Sequence, residues 1–343
     1  MDDPTLHEAG ELEALRRFLP LLPAGDVTEV GPGDDAAVVR AADGRFVVTT
    51  DTMLEGADFR LGWSSWHDLG WKAVATNLID VAAMGARPTS LVVALAVAPS
   101  TRVSALEDFA RGLADAIAAM APGCGVVGGD LGTARHATIA VTAFGDLEGR
   151  PPVLRSGARA GDAVWCVGGL GLAATGLRLL FAQAQDEAAE PVRAATERLR
   201  AGDHGRAVAA QLAPVSPVAA GTLLADLGAT AMLDVSDGLA LDGARVARAS
   251  GVRIAFDRAA VETAAQDAMA LGASLEAALH GGEDHALLCA LPAGITPPAE
   301  LAGHPVHRLG TVESLAEGEP PHVTLDGAPL EPRGWDPYRA VEL

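Results

Sequence analysis

Lysine is almost absent from this sequence, since Lys72 is the only one among 343 residues. A Walker A loop requires the run Gly-Lys-Ser or Gly-Lys-Thr, and Lys72 instead stands between Trp71 and Ala73. The sequence therefore excludes a P-loop nucleotide site. Schiff-base chemistry is disfavoured for the same reason, because this one side chain would have to carry it.

Cysteines and long apolar runs are scarce as well. The three cysteines, Cys124, Cys166 and Cys289, are widely spaced and form no Cys-x-x-Cys pair, which argues against a zinc site and fits buried thiols in a reducing compartment. The apolar run over residues 91–98 is too short to span a bilayer, and the N-terminus is acidic where a signal peptide would be basic. We expect a soluble, cytoplasmic protein.

Positive charge is the third deficit, since the formal net charge is −20. Nucleic acid and anionic membrane both require a basic face, so this charge argues against either as a partner and favours the binding of cations. The length exceeds that at which single cores usually divide, so we expect two domains. The turn-rich run at residues 149–152 predicts the boundary, with one domain over residues 1–150 and the other over 151–343.

The segment over residues 71–88 predicts a buried helix with one isolated carboxylate. Its apolar positions recur at helical spacing, and a glycine and a proline then end it. Lys72, Thr76, Asn77 and Asp80 lie along one polar stripe. A charge in so apolar a setting must be paired or bound to a metal. Two interpretations stay open: Asp80 forms a structural ion pair, with Lys72 or with an arginine from elsewhere, or it belongs to a metal or active site.

Further carboxylates stand at the ends of apolar runs, beside glycine or threonine. One such residue alone is most often a solvated turn residue, but strand ends are where sites cluster in sheets. Strands and helices alternate through the first 150 residues, which predicts α+β or α/β layers. Four such places together with Asp80 favour a common site; their acids are Asp34 with Asp35, Asp51, Asp130, and Asp234 with Asp237.

Two other interpretations use different features. The strand over residues 163–167 leads into Gly169-x-Gly171-x-x-Ala174, which matches a dinucleotide fingerprint. The acid expected about 20 positions later is missing, because residues 183–200 predict a polar helix, so a glycine turn that feeds close helix packing is favoured. Paired carboxylates could also serve a glycosidase, but such an enzyme would usually add an aromatic sugar platform, and aromatics make up only 4% of this chain.

Carboxylates without lysine or histidine partners suit hard cations that prefer oxygen ligands. Magnesium is the foremost of these, and it shares its ligands with substrate phosphates. In phosphoryl transfer, metals that bridge the phosphates can replace a P-loop lysine. Arg155 and Arg159 follow the predicted boundary and are candidate phosphate contacts. The residues therefore indicate a site for magnesium and phosphate.

Several motifs occur in one order along the chain. They are Gly-x-Gly-Asp-Asp at 31–35, Thr-Asp-Thr at 50–52, Asn77-x-x-Asp80 with Ala-Met-Gly-Ala at 83–86, Gly-Gly-Asp at 128–130, Arg-Ser-Gly-Ala at 155–158, Asp-x-Ser-Asp-Gly at 234–238 and Gly-Gly-Glu-Asp at 281–284. With these motifs in register over nearly its whole length, the chain resembles thiamine-monophosphate kinase. That family belongs to an ATP-using superfamily with aminoimidazole ribonucleotide synthetase, selenophosphate synthetase and a hydrogenase-maturation protein.

The resemblance implies ATP-dependent phosphorylation of thiamine monophosphate to thiamine diphosphate, by direct transfer with several Mg²⁺ ions. It implies an N-terminal α+β domain that dimerises through its sheet, followed by a second α/β domain. An acceptor phosphate, with a second pKa of about 6, needs no general base. By motif, the implied metal ligands are Asp35, Thr49, Thr50, Asp51, Asp80, Asp130, Asp234 and Asp237. The implied ATP contacts are Gly129, Asp130, Arg155 and Ser236, and the implied substrate contacts are Asp58, Glu283 and Trp335.

The sequence departs from the family pattern at three places. Asp58 stands where histidine is usual, Ile79 where serine is common, and Leu-Gly-Thr at 131–133 where Thr-Thr often follows Gly-Gly-Asp. These changes concern the substrate contacts more than the metal site. The alternative functions are therefore a sibling ATP-dependent activity, of the aminoimidazole ribonucleotide synthetase or hydrogenase-maturation kind, and a non-catalytic ATP-binding relative.

Overall fold

The computed structural model describes residues 3–32 and 36–335. The strands in this part of the chain are β1 (Thr28–Val30), β2 (Val38–Val39), β3 (Val47–Leu54), β4 (Arg87–Val97), β5 (Gly125–Thr133), β6 (Thr138–Asp146), β7 (Ala163–Val167), β8 (Ala231–Val235), β9 (Arg253–Phe256), β10 (Ala286–Leu291), β11 (Glu300–Leu301), β12 (His304–Glu313), β13 (His322–Leu325) and β14 (Ala328–Leu330).

The α-helices in the same residues are α1 (Leu6–Ala9), α2 (Glu11–Phe18), α3 (Trp66–Ala83), α4 (Val103–Met120), α5 (Leu172–Gln183), α6 (Arg193–Ala201), α7 (Gly205–Leu212), α8 (Ala220–Asp226), α9 (Leu239–Ser250), α10 (Arg258–Ala264), α11 (Gln266–Ala270) and α12 (Leu275–His280). A 3-10 helix covers Leu19–Leu21. In this part of the chain, no helix combines the length and the apolar character that crossing a membrane requires.

The first half of the chain forms a four-stranded sheet in the order β3-β6-β4-β5. Strands β4 and β5 run parallel, and the other neighbours are antiparallel. Side chains alternate between the two faces of a strand, and on β6 the residues Ile139, Val141 and Ala143 are buried while Thr138 and Thr142 are partly exposed. One face of this sheet therefore packs against helix α3, and the other face is open.

Helix α3 begins five residues before the predicted segment, because Ser65 and Asp68 form a reciprocal capping box. It ends as expected, at Ala83, and Gly85 follows with φ of +73°. Helix α4 lies unusually close to α3, since a Cβ atom at Gly70 would stand 2.1 Å from the carbonyl oxygen of Phe109. The central helix is thus buried by α4 on one side and by the sheet on another.

The second half of the chain forms a mixed sheet in the order β14-β13-β9-β12-β7-β10-β8, with β11 paired to β12. Only β13 and β9 pair in parallel in the described ladders of this sheet. The predicted fold class, α+β followed by α/β, is confirmed. The predicted helix over residues 183–200 is partly wrong, because Pro191 lacks the amide hydrogen that a continuous helix would need and helix α6 begins only at Arg193.

One hydrophobic cluster crosses the midpoint of the chain. Leu78 of α3 and Leu91 of β4 belong to the same core as Val153, Leu287 and Leu291 from the second half. The two halves therefore share buried surface rather than meeting through a thin linker. The domain boundary near residue 150 stays a prediction.

Candidate active site

Strand β3 and helix α3 bring the first group of predicted site residues together. The hydroxyl Oγ1 of Thr49 donates a hydrogen bond of 3.2 Å to Oδ2 of Asp80. Asp51 lies two residues further along β3, on the same face of the sheet as Thr49. Asp80 is therefore placed beside a strand that presents a hydroxyl and a second carboxylate to it.

The pKa of Asp80 is raised to about 6, first by burial and then by repulsion from Asp51. The hydrogen bond from Thr49 and the positive charge of Arg155 oppose this rise. No salt bridge to Asp80 is formed by the residues that the structure describes, and Lys72 pairs elsewhere. The hypothesis of a structural ion pair between Asp80 and Lys72 is wrong.

Strand β8 supplies Asp234 from the second sheet. This carboxyl is buried, and burial raises its pKa well above the usual range, with the charge of Asp80 as the next cause. A side-chain hydrogen bond with Ser236 acts in the opposite direction. Asp80 and Asp234 come from different halves of the chain, yet Asp80 is close enough to raise the pKa of Asp234.

The loop after β8 is held by a buried acid that the sequence did not single out. Asp242 of α9 accepts hydrogen bonds from the backbone N–H groups of Asp237, at 3.0 Å, and Gly238, at 3.1 Å. Arg245 contacts both Asp242, at 2.5 Å, and Asp237, at 2.6 Å. Burial raises the pKa of Asp242 to about 6. Asp237 is thus ion-paired with Arg245 in this structure.

Lys72 forms an ion pair with Glu283. Its Nζ contacts Oε1 of that carboxylate and also donates to the carbonyl oxygen of Gln211 at 3.3 Å. The side-chain Nε2 of Gln211 donates to the other oxygen, Oε2. Burial alone would raise the pKa of Glu283, but Lys72, together with His285 and Gln211, outweighs burial and the pKa is lowered. Glu283 is therefore held as a carboxylate by two buried donors.

The backbone joins the predicted ATP residues to the predicted substrate residues. The N–H of Glu283 donates to the carbonyl oxygen of Ser236 at 2.7 Å, and the N–H of Trp335 donates to that of Asp237 at 3.0 Å. The Trp335 side chain is exposed. The backbone therefore ties Glu283 to Ser236 and Trp335 to Asp237.

Asp284, the next residue after Glu283, faces a different element. Its carboxylate accepts hydrogen bonds from the N–H groups of Gly171, at 2.6 Å, and Ala173, at 3.4 Å, at the start of helix α5. Burial raises its pKa to about 7 against these bonds. A protein carboxylate therefore occupies the helix start where the dinucleotide fingerprint would need a phosphate. The glycine-turn interpretation fits this geometry.

Asp58 lies in the turn after β3. Its Oδ2 accepts a hydrogen bond of 2.7 Å from the backbone N–H of Leu54. Burial raises its pKa, and Glu283, Lys72 and Asp51 are all close enough to influence it. Asp58 is therefore close both to Asp51 of β3 and to the ion pair of Lys72 with Glu283.

Two predicted metal ligands, Asp130 and Thr50, are not brought to Asp80. Strand pairing places Asp130 opposite Ala94, Ala140 and then Thr52, which is the open face of the sheet. Thr50 lies on that same face, where its hydroxyl donates to the carbonyl oxygen of Val141 at 2.9 Å. Asp35 lies outside the described residues. Among residues 3–32 and 36–335, no group of His, Cys, Asp or Glu side chains is gathered tightly enough to enclose a metal ion.

Gly129 and Asp130 border a cavity of about 520 Å³ at the edge of β5. Apart from Glu11 of α2, its other lining side chains are apolar, and they include Phe109 and Leu113 of α4 and Leu15 of α2. The cavity is large enough for a drug-sized or nucleotide-sized group. The predicted ATP-binding segment therefore adjoins an apolar cavity.

Sequence reasoning missed Gln211, Asp242 and Arg245. His285 is buried, and neither ring nitrogen has a hydrogen-bond partner in the described structure. Burial lowers its pKa to about 4, so the ring is neutral. The place of Lys72 on the polar stripe of α3 was the sequence signal for its role in the site. Gln211 shows no comparable pattern in the sequence, because its contacts with Lys72 and Glu283 are tertiary.

The chain is similar in sequence to known proteins. Residues 33–147 match the family described as AIR synthase related protein, N-terminal domain. This defines the class of the segment that holds the four-stranded sheet, α3 and α4. A thiamine-monophosphate kinase from Mycobacterium tuberculosis (strain ATCC 25618 / H37Rv) is 41% identical over 306 residues, which covers 85% of each chain.

Solved structures agree with this comparison. The thiamine-monophosphate kinase from Stenotrophomonas maltophilia K279a has a TM-score of 0.72 and 30% identity, over 89% of this chain and 93% of that one. AaThiL complexed with AMPPCP and TMP has a TM-score of 0.70 and 30% identity, over 88% of this chain and 90% of that one. The chain belongs to the thiamine-monophosphate kinase family.

Proposed function

We propose that this protein transfers the terminal phosphoryl group of ATP to thiamine monophosphate and forms thiamine diphosphate. The observation that carries the proposal is the meeting of Asp80 of helix α3 with Asp234 of strand β8, while Lys72 of the same helix holds the carboxylate of Glu283. A site between two elements can hold a donor on one side and an acceptor on the other. The related AaThiL structure with AMPPCP and TMP supports the choice of substrates.

The donor set fits magnesium. Asp51 raises the pKa of Asp80, and Asp80 raises that of Asp234, which is the state of acids that lack a balancing cation. Carboxylate and hydroxyl oxygens are the ligands that Mg²⁺ prefers. Asp51, Asp80 and Asp234 would hold the metal, with Thr49 and Asp237 assisting; Asp35, Thr50 and Asp130 stay ligands predicted by motif alone. When bound, Mg²⁺ supplies neutralisation of phosphate charge.

ATP is assigned to the cavity beside β5. Its apolar walls at Phe109 and Leu113 suit a nucleobase, and Gly129 and Asp130 stand at its border. Arg155 acts on the charge of Asp80, so its guanidinium is near enough to the acids to contact a phosphate there. Ser236, which bonds Asp234, is the other assigned contact.

The acceptor is assigned to the region of Asp58, Glu283 and Trp335. The thiazolium ring of thiamine is a cation, and an ionised carboxylate at Glu283 attracts it. The acceptor phosphate, with a second pKa of about 6, is already a nucleophile at neutral pH and needs no general base. The work of the protein's own residues is then binding and orientation.

A second copy of the chain is assigned to the open face of the four-stranded sheet. Val48 and Leu54 of β3 are exposed there, as is Phe46 just before the strand. An exposed apolar sheet face of this kind marks an interaction surface. Light scattering should give the mass of a dimer, and Val48→Glu should give a monomer; a monomeric wild-type protein would contradict the assignment.

The three free, buried cysteines support a cytoplasmic setting for the reaction.

The activity itself is tested by incubating the pure protein with ATP and MgCl2 and an acceptor panel. The panel contains thiamine monophosphate, thiamine and an aminoimidazole-pathway substrate, and products are identified by mass. Thiamine diphosphate should form from thiamine monophosphate alone. A product from the aminoimidazole substrate would support the sibling activity instead.

A further inference from the structure

Lys72 and Glu283 link the central helix to the loop over residues 281–285. Lys72 is 3% exposed and Gln211 is 4% exposed, whereas the Glu283 side chain is 31% exposed. The two donors occupy both carboxylate oxygens from the interior. Glu283 is therefore the one member of this network that has surface available to a ligand.

The backbone of Glu283 adds a second, independent sign of positioning. Its φ angle is +69°, in the left-handed region that side chains other than glycine rarely adopt. Such a conformation persists only where the surroundings hold it, and it clusters at ligand sites. The bond from the Glu283 N–H to the Ser236 carbonyl fixes the backbone, while Lys72 and Gln211 fix the side chain.

The charges around Glu283 come from several elements. Lys72 of α3 is its one ion-pair partner in the described structure, His285 in the same loop is neutral, and Asp58 in the turn after β3 carries the same sign as Glu283. Gln211 of α7 is uncharged. Without Lys72, burial and Asp58 would both oppose an ionised Glu283.

We propose that Lys72, with Gln211, is a positioning residue that holds Glu283 ionised and oriented to bind the cationic, amino-bearing part of the acceptor. This inference rests on the proposed function. An ionised carboxylate only accepts hydrogen bonds, so its free side selects a cation or an N–H donor. Lys72 itself does not touch the acceptor or ATP.

The test measures KM for thiamine monophosphate and for ATP separately, and also measures binding of thiamine monophosphate by calorimetry with magnesium and a non-hydrolysable ATP analogue. Lys72→Met should raise the KM and Kd for thiamine monophosphate by about ten- to a hundredfold, as loss of a charged hydrogen bond does. The KM for ATP should change by less than about twofold. Lys72→Arg should recover part of the loss, and Gln211→Met should show a smaller loss in the same direction.

The matched control is Arg200→Met. Arg200 is 2.6 Å from the carboxylate of Asp68, which also lies on α3 and is almost fully buried. The variant therefore removes the cation from a second buried acid, one that is not part of the site. This variant should lower Tm and leave both KM values unchanged. In a Glu283→Gln background, Lys72→Met should add less than about threefold to the KM, because it acts through Glu283.

Several results would overturn the role of Lys72: an equal rise in both KM values, an unchanged KM for thiamine monophosphate, or effects of Lys72→Met and Glu283→Gln that multiply. If Lys72→Met does not fold, an unchanged KM for thiamine monophosphate in Gln211→Met would overturn the proposal instead. A wild-type protein that binds thiamine monophosphate without converting it contradicts the proposed function alone, and the binding data still decide the role of Lys72. A wild-type protein that does not bind it contradicts both.

Discussion

Asp80 of helix α3 raises the pKa of Asp234 on strand β8, and burial is the only larger cause. The two carboxylates come from halves of the chain that form separate sheets, so their proximity is a product of tertiary packing. Like charges brought together in a buried place weaken the fold unless a cation joins them. This relationship is the basis of the first two predictions.

Asp80→Asn should make the metal-free protein more stable at neutral pH. The pKa of Asp80 is raised to about 6 in the folded state, so the unfavourable charge is absent below about pH 4 and complete above about pH 6. The gain at pH 7.5 should be at most about 3 kcal/mol, and it should fall towards zero near pH 4. Urea unfolding in the presence of a chelator measures it.

The control for this prediction is Asp203→Asn, which changes an exposed acid and should leave stability unaltered. A less stable Asp80→Asn protein at pH 7.5 would restore the interpretation of Asp80 as one half of a structural ion pair. The Asp80→Asn protein should lose most of its enzymatic activity, because a neutral amide is a poor ligand for Mg²⁺.

Magnesium affinity should fall as the pH is lowered through 6. Metal ligands must be deprotonated, and Asp80 takes up a proton near that pH. Calorimetry at pH 7.5 and pH 5.5 measures the difference, and the Tm of chelator-treated protein should rise on addition of MgCl2 at the higher pH. Equal affinity at both pH values would argue against Asp80 as a ligand.

Arg155→Ala should weaken ATP binding by about ten- to a hundredfold, because it removes a charge-assisted contact to phosphate. Binding should also depend strongly on magnesium, since the chain has no P-loop lysine. The matched control is Arg178→Ala, which removes an exposed arginine from α5. Calorimetry that finds equal ATP affinity with and without magnesium would refute the magnesium dependence.

Asp58→Asn should leave the steady-state kinetics close to those of the wild type, whereas Asp58→Ala should impair them. Asparagine keeps an oxygen that can accept the N–H of Leu54, whereas alanine leaves that turn without its bond. Asp58→His, the residue usual in the family, should change turnover little. Asp58→Ala should raise the KM for thiamine monophosphate and spare that for ATP; steady-state kinetics with each substrate varied in turn decides this. A collapse of kcat in Asp58→His, with ATP binding intact, would show that the pocket is built around the carboxylate.

Much of the fold could be predicted from the sequence where one element decides its own structure. Strand β7 has the bounds that its apolar run predicts. Helical spacing predicts the apolar core of α3, but its first turn depends on the capping box of Ser65, which lies outside that apolar repeat.

The site was harder to predict, because its contacts are tertiary. The pairing of β4 and β5 contains a register shift between Leu91 and Val92, so one extra residue of β5 is inserted before Gly128. A shift of one residue moves every following side chain to the other face, which is why Asp130 does not join Asp80. The pairing of Lys72 with Glu283 left no local pattern either, since it joins a helix to a loop far along the chain.

Phosphoryl transfer from ATP to thiamine monophosphate is best tested by following isotopically labelled phosphate in a single turnover. The protein is mixed with magnesium, thiamine monophosphate and ATP whose terminal phosphoryl group carries ¹⁸O, and the quenched products are weighed by mass spectrometry. The account predicts thiamine diphosphate that carries the label, with ADP in equal amount, for the wild type and almost none for Asp80→Asn. ADP and labelled free phosphate without thiamine diphosphate, or an Asp80→Asn protein as active as the wild type, would contradict it.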